Sequence, residues 1–260
     1  MILRSVTKHV KDQNWFAVLL DLLIVVFGVF IGIQVANWNQ ELVGERQSKV
    51  LIQRLIGDLK LDLEVVDHLL NYQQIVKSYA ETAIDGFNEV ETVVDEQFVI
   101  SAYQASQVNL PTSYRGTFTE MINTGTINLV KNNQIKTKIM SYYSDDWANR
   151  PNMVYLAPYR EQIRRAIPHV IQEDIRVHCG DHSVQIRQIK QTILHSTCNL
   201  SMDNELFLTA AKILRNNPDL LLDLQYQIAV YSTQVLNMSD TKIKIEELIN
   251  SLETISSKTQ

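Results

Sequence analysis

Apolar residues follow three patterns along this chain. From Trp15 to Ala36 the run WFAVLLDLLIVVFGVFIGIQVA is apolar on every face, with Asp21 as its single ionisable residue. A helix needs ~20 such residues, at about 1.5 Å each, to cross a bilayer. Trp15 and Phe16 at one end and Trp38 at the other fall where amphipathic rings favour the headgroup level, and Asn37 and Asn39 close the run. The apolar core exceeds the ~7–15 residues of a cleaved signal peptide, and Gln34 spoils a small-x-small site before Ala36. A retained signal-anchor is expected.

From Glu41 onward the apolar positions become periodic. Ile52, Leu55, Leu59, Leu63, Val66, Leu70, Val76 and Ala80 recur mostly at steps of three and four. This spacing predicts a long amphipathic helix that leaves the span as a stalk, joins a bundle or coiled coil, and ends at Gly86. Further helices are predicted over 95–106, 119–123, 133–143, 154–173 (kinked at Pro168) and 203–215. A final long helix starts at Pro218, with Asn217 as its cap, and runs to about Glu253. Its apolar face is read as Leu221, Leu224, Ile228, Tyr231, Val235, Ile243, Leu248 and Leu252.

A third pattern appears between Ile175 and Ile186. Ile175 and Val177 alternate, as do Val184 and Ile186, with Gly180-Asp181 between the pairs, which predicts a small hairpin. The expected architecture is all-α: an N-terminal transmembrane helix continuing into a long stalk helix and an antiparallel helical bundle, with room for one small β-hairpin. The corresponding domains are a basic cytoplasmic tail (1–14), the transmembrane helix (15–38), the stalk (39–86) and an extramembrane helical domain (87–260).

Charge sets the expected orientation. Arg4, Lys8 and Lys11 against Asp12 precede the span, while Glu41, Glu45, Arg46, Lys49 and Arg54 follow it. The denser basic side favours an N-terminus inside, which places the larger domain in the periplasm or outside the cytoplasm of an inner-membrane protein. The formal charge is −5, and no basic run offers a nucleic-acid surface.

Within the span, Asp21, Gly28, Gly32 and Ala36 are spaced by seven, four and four, so they share one helical face. Small residues at this spacing let helix backbones approach closely, which predicts a membrane-helix interface and a homo-oligomer. Asp21 lies about 9 Å inside Trp15. A carboxylate there is costly unless it is neutral and hydrogen-bonded to a neighbouring helix, or lines a hydrated path.

Cys179 and Cys198 are the two cysteines of the chain. A disulfide closing a loop of about 20 residues is one reading, and it suits an oxidising compartment. The pattern Cys179-x-x-His182 followed by His195-x-x-Cys198 leaves a tetrahedral zinc site open as another, with His178 as a fifth candidate, and two unlinked thiols are the third reading. The metal reading would also admit an envelope hydrolase.

Two segments resemble a family of bacterial single-pass membrane proteins catalogued as a domain of unknown function, number six-zero-nine-zero. One is LLDLLIVVFGVFIGIQVANWNQ (19–40), and the family shows a carboxylate at the place of Asp21. The other is FTEMINTGTINLVKNNQIKTKIMSYYS (118–144), a short helix, a glycine, an apolar pair, Lys-Asn and a helix ending in Tyr-Tyr. The resemblance implies a membrane-anchored helical protein and no particular activity.

Catalytic motifs are missing. The chain has no Gly-rich phosphate loop, no Gly-x-Ser-x-Gly elbow and no His-Glu-x-x-His run. The adjacent carboxylates Glu173-Asp174 and Glu246-Glu247 point ~100° apart on a helix. Glu120 reads as a surface or capping residue. The expectation is a scaffold or interaction protein that is no enzyme, needs no cofactor, lies in a lipid bilayer and has an envelope protein as its further partner. The alternative is a subunit of an ion-driven complex using Asp21, whose span is similar to those of stator-like subunits, although the distal domain lacks their mixed α/β pattern.

Overall fold

A computed structural model describes residues 15–186 and 189–258 of the chain. The tail holding Arg4, Lys8, Lys11 and Asp12 lies outside the described residues. The elements in order are α1 (Trp15–Phe87), α2 (Asp95–Gln104), α3 (Gly116–Asn123), α4 (Asn133–Ser144), α5 (Pro151–Val154), α6 (Tyr159–Ala166), α7 (His169–His178), β1 (His182–Ile186), β2 (Ile189–Ile193), α8 (Asn204–Arg215) and α9 (Pro218–Lys258). The chain forms two compact units that meet in sequence between Leu51 and Ile52. It is mainly helical, with one antiparallel two-stranded sheet.

In the first unit, α1 carries a candidate membrane span, and none of its apolar window is buried. Leu22, Val25, Phe27, Val29, Phe30 and Ile31 are all more than half exposed. In water such a surface is a large cost; in lipid it is the expected exterior.

The second unit is organised by a seam between the later part of α1 and α9. Along α1 the buried positions include Ile52, Leu55, Leu59, Asp62, Val66, Leu69, Gln73, Val76, Ala80 and Ala83, an unbroken alternation of three- and four-residue steps, with Leu51, Ile56, Val65, Tyr72 and Tyr79 buried on its flanks. Along α9 the same alternation runs through Leu220, Leu224, Gln227, Tyr231, Gln234, Met238, Thr241, Ile245, Leu248 and Leu252. This is the repeat that keeps two helices in contact over many turns. Cross-links show that they run antiparallel: Gln53 to Ser256 (2.7 Å), Lys60 to Glu253 (2.8 Å), Asp67 to Lys242 (2.7 Å) and Gln73 to Gln234 (3.2 Å).

These positions correct the faces expected from the apolar pattern. Leu63 and Leu70 are only half buried, and Ile243 is 55% exposed. Polar residues take seam slots (Asp62, Gln73, Gln227, Gln234, Thr241), and the apolar residues beside them then fall outside it.

Helix α2 is the centre of the domain, with every residue from Phe98 to Gln104 buried. Its first turn carries Asp95, paired with Arg215 at 2.7 Å, and Glu96, which accepts the Leu200 N–H. Beyond its other end, Arg160 donates to the Ser106 carbonyl and Arg164 to the Gln107 side chain (2.9 Å). Anions at the start and cations near the end follow the helix dipole. The helix α1 stops at Phe87, one residue past the expected end at Gly86, but Gly86 is not its left-handed cap. A Cβ there would come within 2.2 Å of the Phe98 ring, so the glycine provides space for α2. The left-handed residue of the following turn is Glu89, at φ 54°.

Two other boundaries differ from the sequence expectation. The helix expected over 154–173 is two helices, α6 and α7, with an extended approach through Tyr155, and Pro168 precedes α7. The hairpin lies later, pairing His182 with Ile193 through Ile186 with Ile189. Ile175 and Val177 belong to α7, where Ile171 and Ile175, one turn apart, are buried and Val177 is 73% exposed.

Candidate functional site

Three sets of residues bear on function. The first is the small-residue face of the span. A Cβ added to Gly28 or Gly32 would meet nothing within 4 Å, so both glycines line open space in a single copy. Ala36 is likewise exposed. The backbone at Asp21 is helical, and its side chain lies outside the described part of the molecule.

The second is the hairpin. Cys179 and Cys198 form a disulfide with Cα atoms 5.5 Å apart, closing the segment that contains β1 and β2. The His182 and His195 rings stack at 5.2 Å beside it, and His178 pairs instead with Asp174 of its own helix at 3.1 Å. Disulfide sulfurs are not thiolates and cannot serve as the cysteine ligands of a zinc site. One face of α1 holds this segment. His68 Nε2 lies 2.7 Å from the Thr192 carbonyl oxygen, the Tyr79 hydroxyl donates to the His195 carbonyl (2.8 Å), and the Tyr72 hydroxyl donates to Asp181 (3.3 Å).

The third set was not anticipated from the sequence. Asp58 and Asp62, one turn apart on α1, project towards the connection between α2 and α3. Asp58 accepts the Thr117 N–H at 2.9 Å and so caps α3, whose own N-cap residue, Arg115, makes no side-chain cap. Asp62 is fully buried. It accepts the Tyr114 N–H (2.6 Å) and the Tyr142 hydroxyl (2.8 Å). The Trp147 indole is close enough to favour its ionised form, although the indole N–H reaches no acceptor at hydrogen-bond geometry. Burial pushes the Asp62 carboxyl up to about 6, against the pull of the two hydrogen bonds, and neighbouring Asp58 adds to the rise.

Around this carboxylate, Phe118 stacks on Tyr143 at 4.4 Å, and Arg115 pairs with Asp146 (2.8 Å) while donating to the Tyr143 carbonyl. Burial raises both Tyr142 and Tyr143 above the ordinary phenol range. On the surface, Arg54 clamps Glu120 with two hydrogen bonds (3.0 and 2.5 Å), which joins α1 to α3 and gives Glu120 a bracing role. The readable signal for the network was Asp62 itself, a carboxylate occupying a seam slot that is apolar on either side.

An open cleft of about 250 Å³ borders the network, lined by Tyr142, Trp147, Lys138, Arg150, Lys244 and Glu247 among others. Its cations are engaged within the protein: Arg150 by Asp145, Lys244 by Asp240 and Lys138 by Ser251. Among the described residues no cluster of three or more His, Cys, Asp or Glu is placed to hold a metal.

A helical domain whose leading helix is a candidate membrane span is thus the class of protein defined here. A sequence model described as a family of unknown function (DUF6090) matches residues 21–155, just over half of the chain, and the chain belongs to that family. The matched region contains the span from Asp21 onward, with Asp58, Asp62, Tyr114, Tyr142 and Trp147, whereas the disulfide, the hairpin and α9 lie beyond it. No match was found among curated proteins or among solved structures.

Proposed function

We propose that this protein is a membrane-anchored helical scaffold, not an enzyme, that self-associates through its transmembrane and stalk helices and presents its helical domain to another envelope component. The observation that carries the reading is helix α1 itself. It is apolar and unburied where it is a candidate span, and from Ile52 onward it is the central strut of a folded domain. Open space at Gly28 and Gly32 supports close approach of a second span there. The cationic residues before the span support an N-terminus on the cytoplasmic side, and the disulfide is consistent with a domain in an oxidising compartment.

The test is the mass of the intact protein, purified in mild detergent, by native mass spectrometry. A homo-oligomer that dissociates in the Gly28→Leu, Gly32→Leu double variant supports the scaffold. A monomer, or an oligomer unaffected by that variant, rejects this interface. A stoichiometric multi-spanning partner would favour the ion-driven alternative, with Asp21→Asn as the next variant.

A further inference from the structure

Asp62 is the one carboxylate in the buried seam of α1; the other polar residues there are neutral. It takes hydrogen bonds from two directions, the backbone before α3 and the hydroxyl of α4. A fully buried carboxylate held by a hydroxyl has two arrangements. When ionised, it accepts the Tyr142 O–H hydrogen. When protonated, it carries a hydrogen of its own and can donate it to the Tyr142 oxygen, and the Tyr142 hydrogen turns elsewhere. Tyr142 also lines the open cleft, so the freed hydrogen has an outlet there.

We propose that Asp62 is a proton-binding site built into the seam, and that proton uptake reverses its hydrogen bond with Tyr142 and tightens α4 and residues 105–115 against α1. Removing a buried charge removes the desolvation penalty at this joint. The long helix is therefore held more firmly in acid than at neutral pH. Groups from every neighbouring element face the site: Asp58 on α1 itself, Tyr114 and Arg115 before α3, Tyr142 and Tyr143 on α4, and Asp146 with Trp147 in the turn after it. Lys244 and Glu247 on α9 line the far side of the cleft. Arg115 is paired with Asp146, and its distance to the Tyr143 ring centre is 5.9 Å.

The chain has three tryptophans, two of them flanking the span, so Trp15→Phe with Trp38→Phe leaves Trp147 as the only indole. In that background the full-length protein in mild detergent is titrated from pH 8 to 4 while Trp147 emission is recorded. The expected result is one step with a midpoint near 6. It is lost in Asp62→Asn, moves up in Tyr142→Phe, which removes a hydrogen bond to the ionised form, and moves down in Asp58→Asn, which removes a neighbouring negative charge. Histidines titrate in the same range, so a step that survives Asp62→Asn overturns the assignment, as does flat emission in the parent protein. If circular dichroism shows that Asp62→Asn does not fold, the other two variants decide: opposite shifts uphold the site, and unmoved midpoints overturn it.

Discussion

Gln73 of α1 donates its side-chain amide to Gln234 of α9 across 3.2 Å, and both residues sit in seam slots more than nine-tenths buried. Gln234 in turn donates to the Asn152 carbonyl at 3.0 Å. A polar pair in an otherwise apolar seam fixes which turn of one helix faces which turn of the other. Gln73→Leu leaves the Gln234 oxygen buried without that donor and is expected to cost about 1–3 kcal/mol. Gln73→Leu with Gln234→Leu should recover much of that loss. Denaturant unfolding of the solubilised protein checks both, and a neutral single variant would mean that the pair contributes nothing.

Asp62 also makes stability depend on pH. Its carboxyl rises from 3.8 to about 6 on folding, so between those values the folded protein binds more protons than the unfolded chain. Stability must then fall as pH rises from about 4 to about 6 and level off above. The full effect is at most about 3 kcal/mol at 1.36 kcal/mol per unit. Glu120 and Asp145, held below the ordinary carboxylate range by Arg54 and Arg150, act in the opposite sense, at the acid edge of that window and below it. Unfolding free energies at pH 4.5 and 7.5 should therefore differ in the parent protein and converge in Asp62→Asn.

The disulfide closes a loop with a sequence separation of 19. Replacing both Cys179 and Cys198 with Ala is expected to lower stability by about 3 kcal/mol through the unfolded chain's greater freedom. A thermal melt measures it. An unchanged melting temperature would mean that the contacts of His68, Tyr72 and Tyr79 hold the hairpin unaided.

Gly86→Ala tests the core around α2. In an ordinary helix interior the change stabilises by roughly 0.5–1 kcal/mol. Here the added methyl would approach the Cβ, Cγ and Cδ2 atoms of Phe98 at 2.7, 2.5 and 2.2 Å, and Phe98 is fully buried. Overpacking of this kind costs about 1–3 kcal/mol, so a net loss is expected, partly relieved by Phe98→Leu. A stabilised Gly86→Ala protein would contradict the packing.

The parts legible in the sequence were those in which one physical demand acts alone. The apolar run meets the length and composition of a candidate span without help from any other element, and Pro218 opens α9 because a missing N–H costs nothing at the first helical position. The seam was harder to read. Asp62 occupies the slot that hydrophobic periodicity assigns to its neighbour Leu63, Leu70 was read for the slot that Leu69 fills, and Gln73 is a polar slot that periodicity passes over. Gly86 marked the end of α1 to within one residue, but its packing role, space for the Phe98 ring, lies on another element and was not legible. Of the candidate residues, the Cys179–Cys198 pair could be listed from spacing, but the choice between disulfide and metal required the distance between them. Asp58 and Asp62 act through backbone groups of a distant connection, and sequence spacing does not display that relationship.

Because α9 supplies one side of the seam, the domain cannot close until nearly all of it has been synthesised. Gln53 waits for Ser256, 203 residues later. At translation rates of ~5–20 residues per second that is roughly 10–40 s, during which the apolar stripe of α1 has no α9 beside it. A truncation within α9 would remove one side of the seam and leave the buried stripe of α1 open to water over the lost turns.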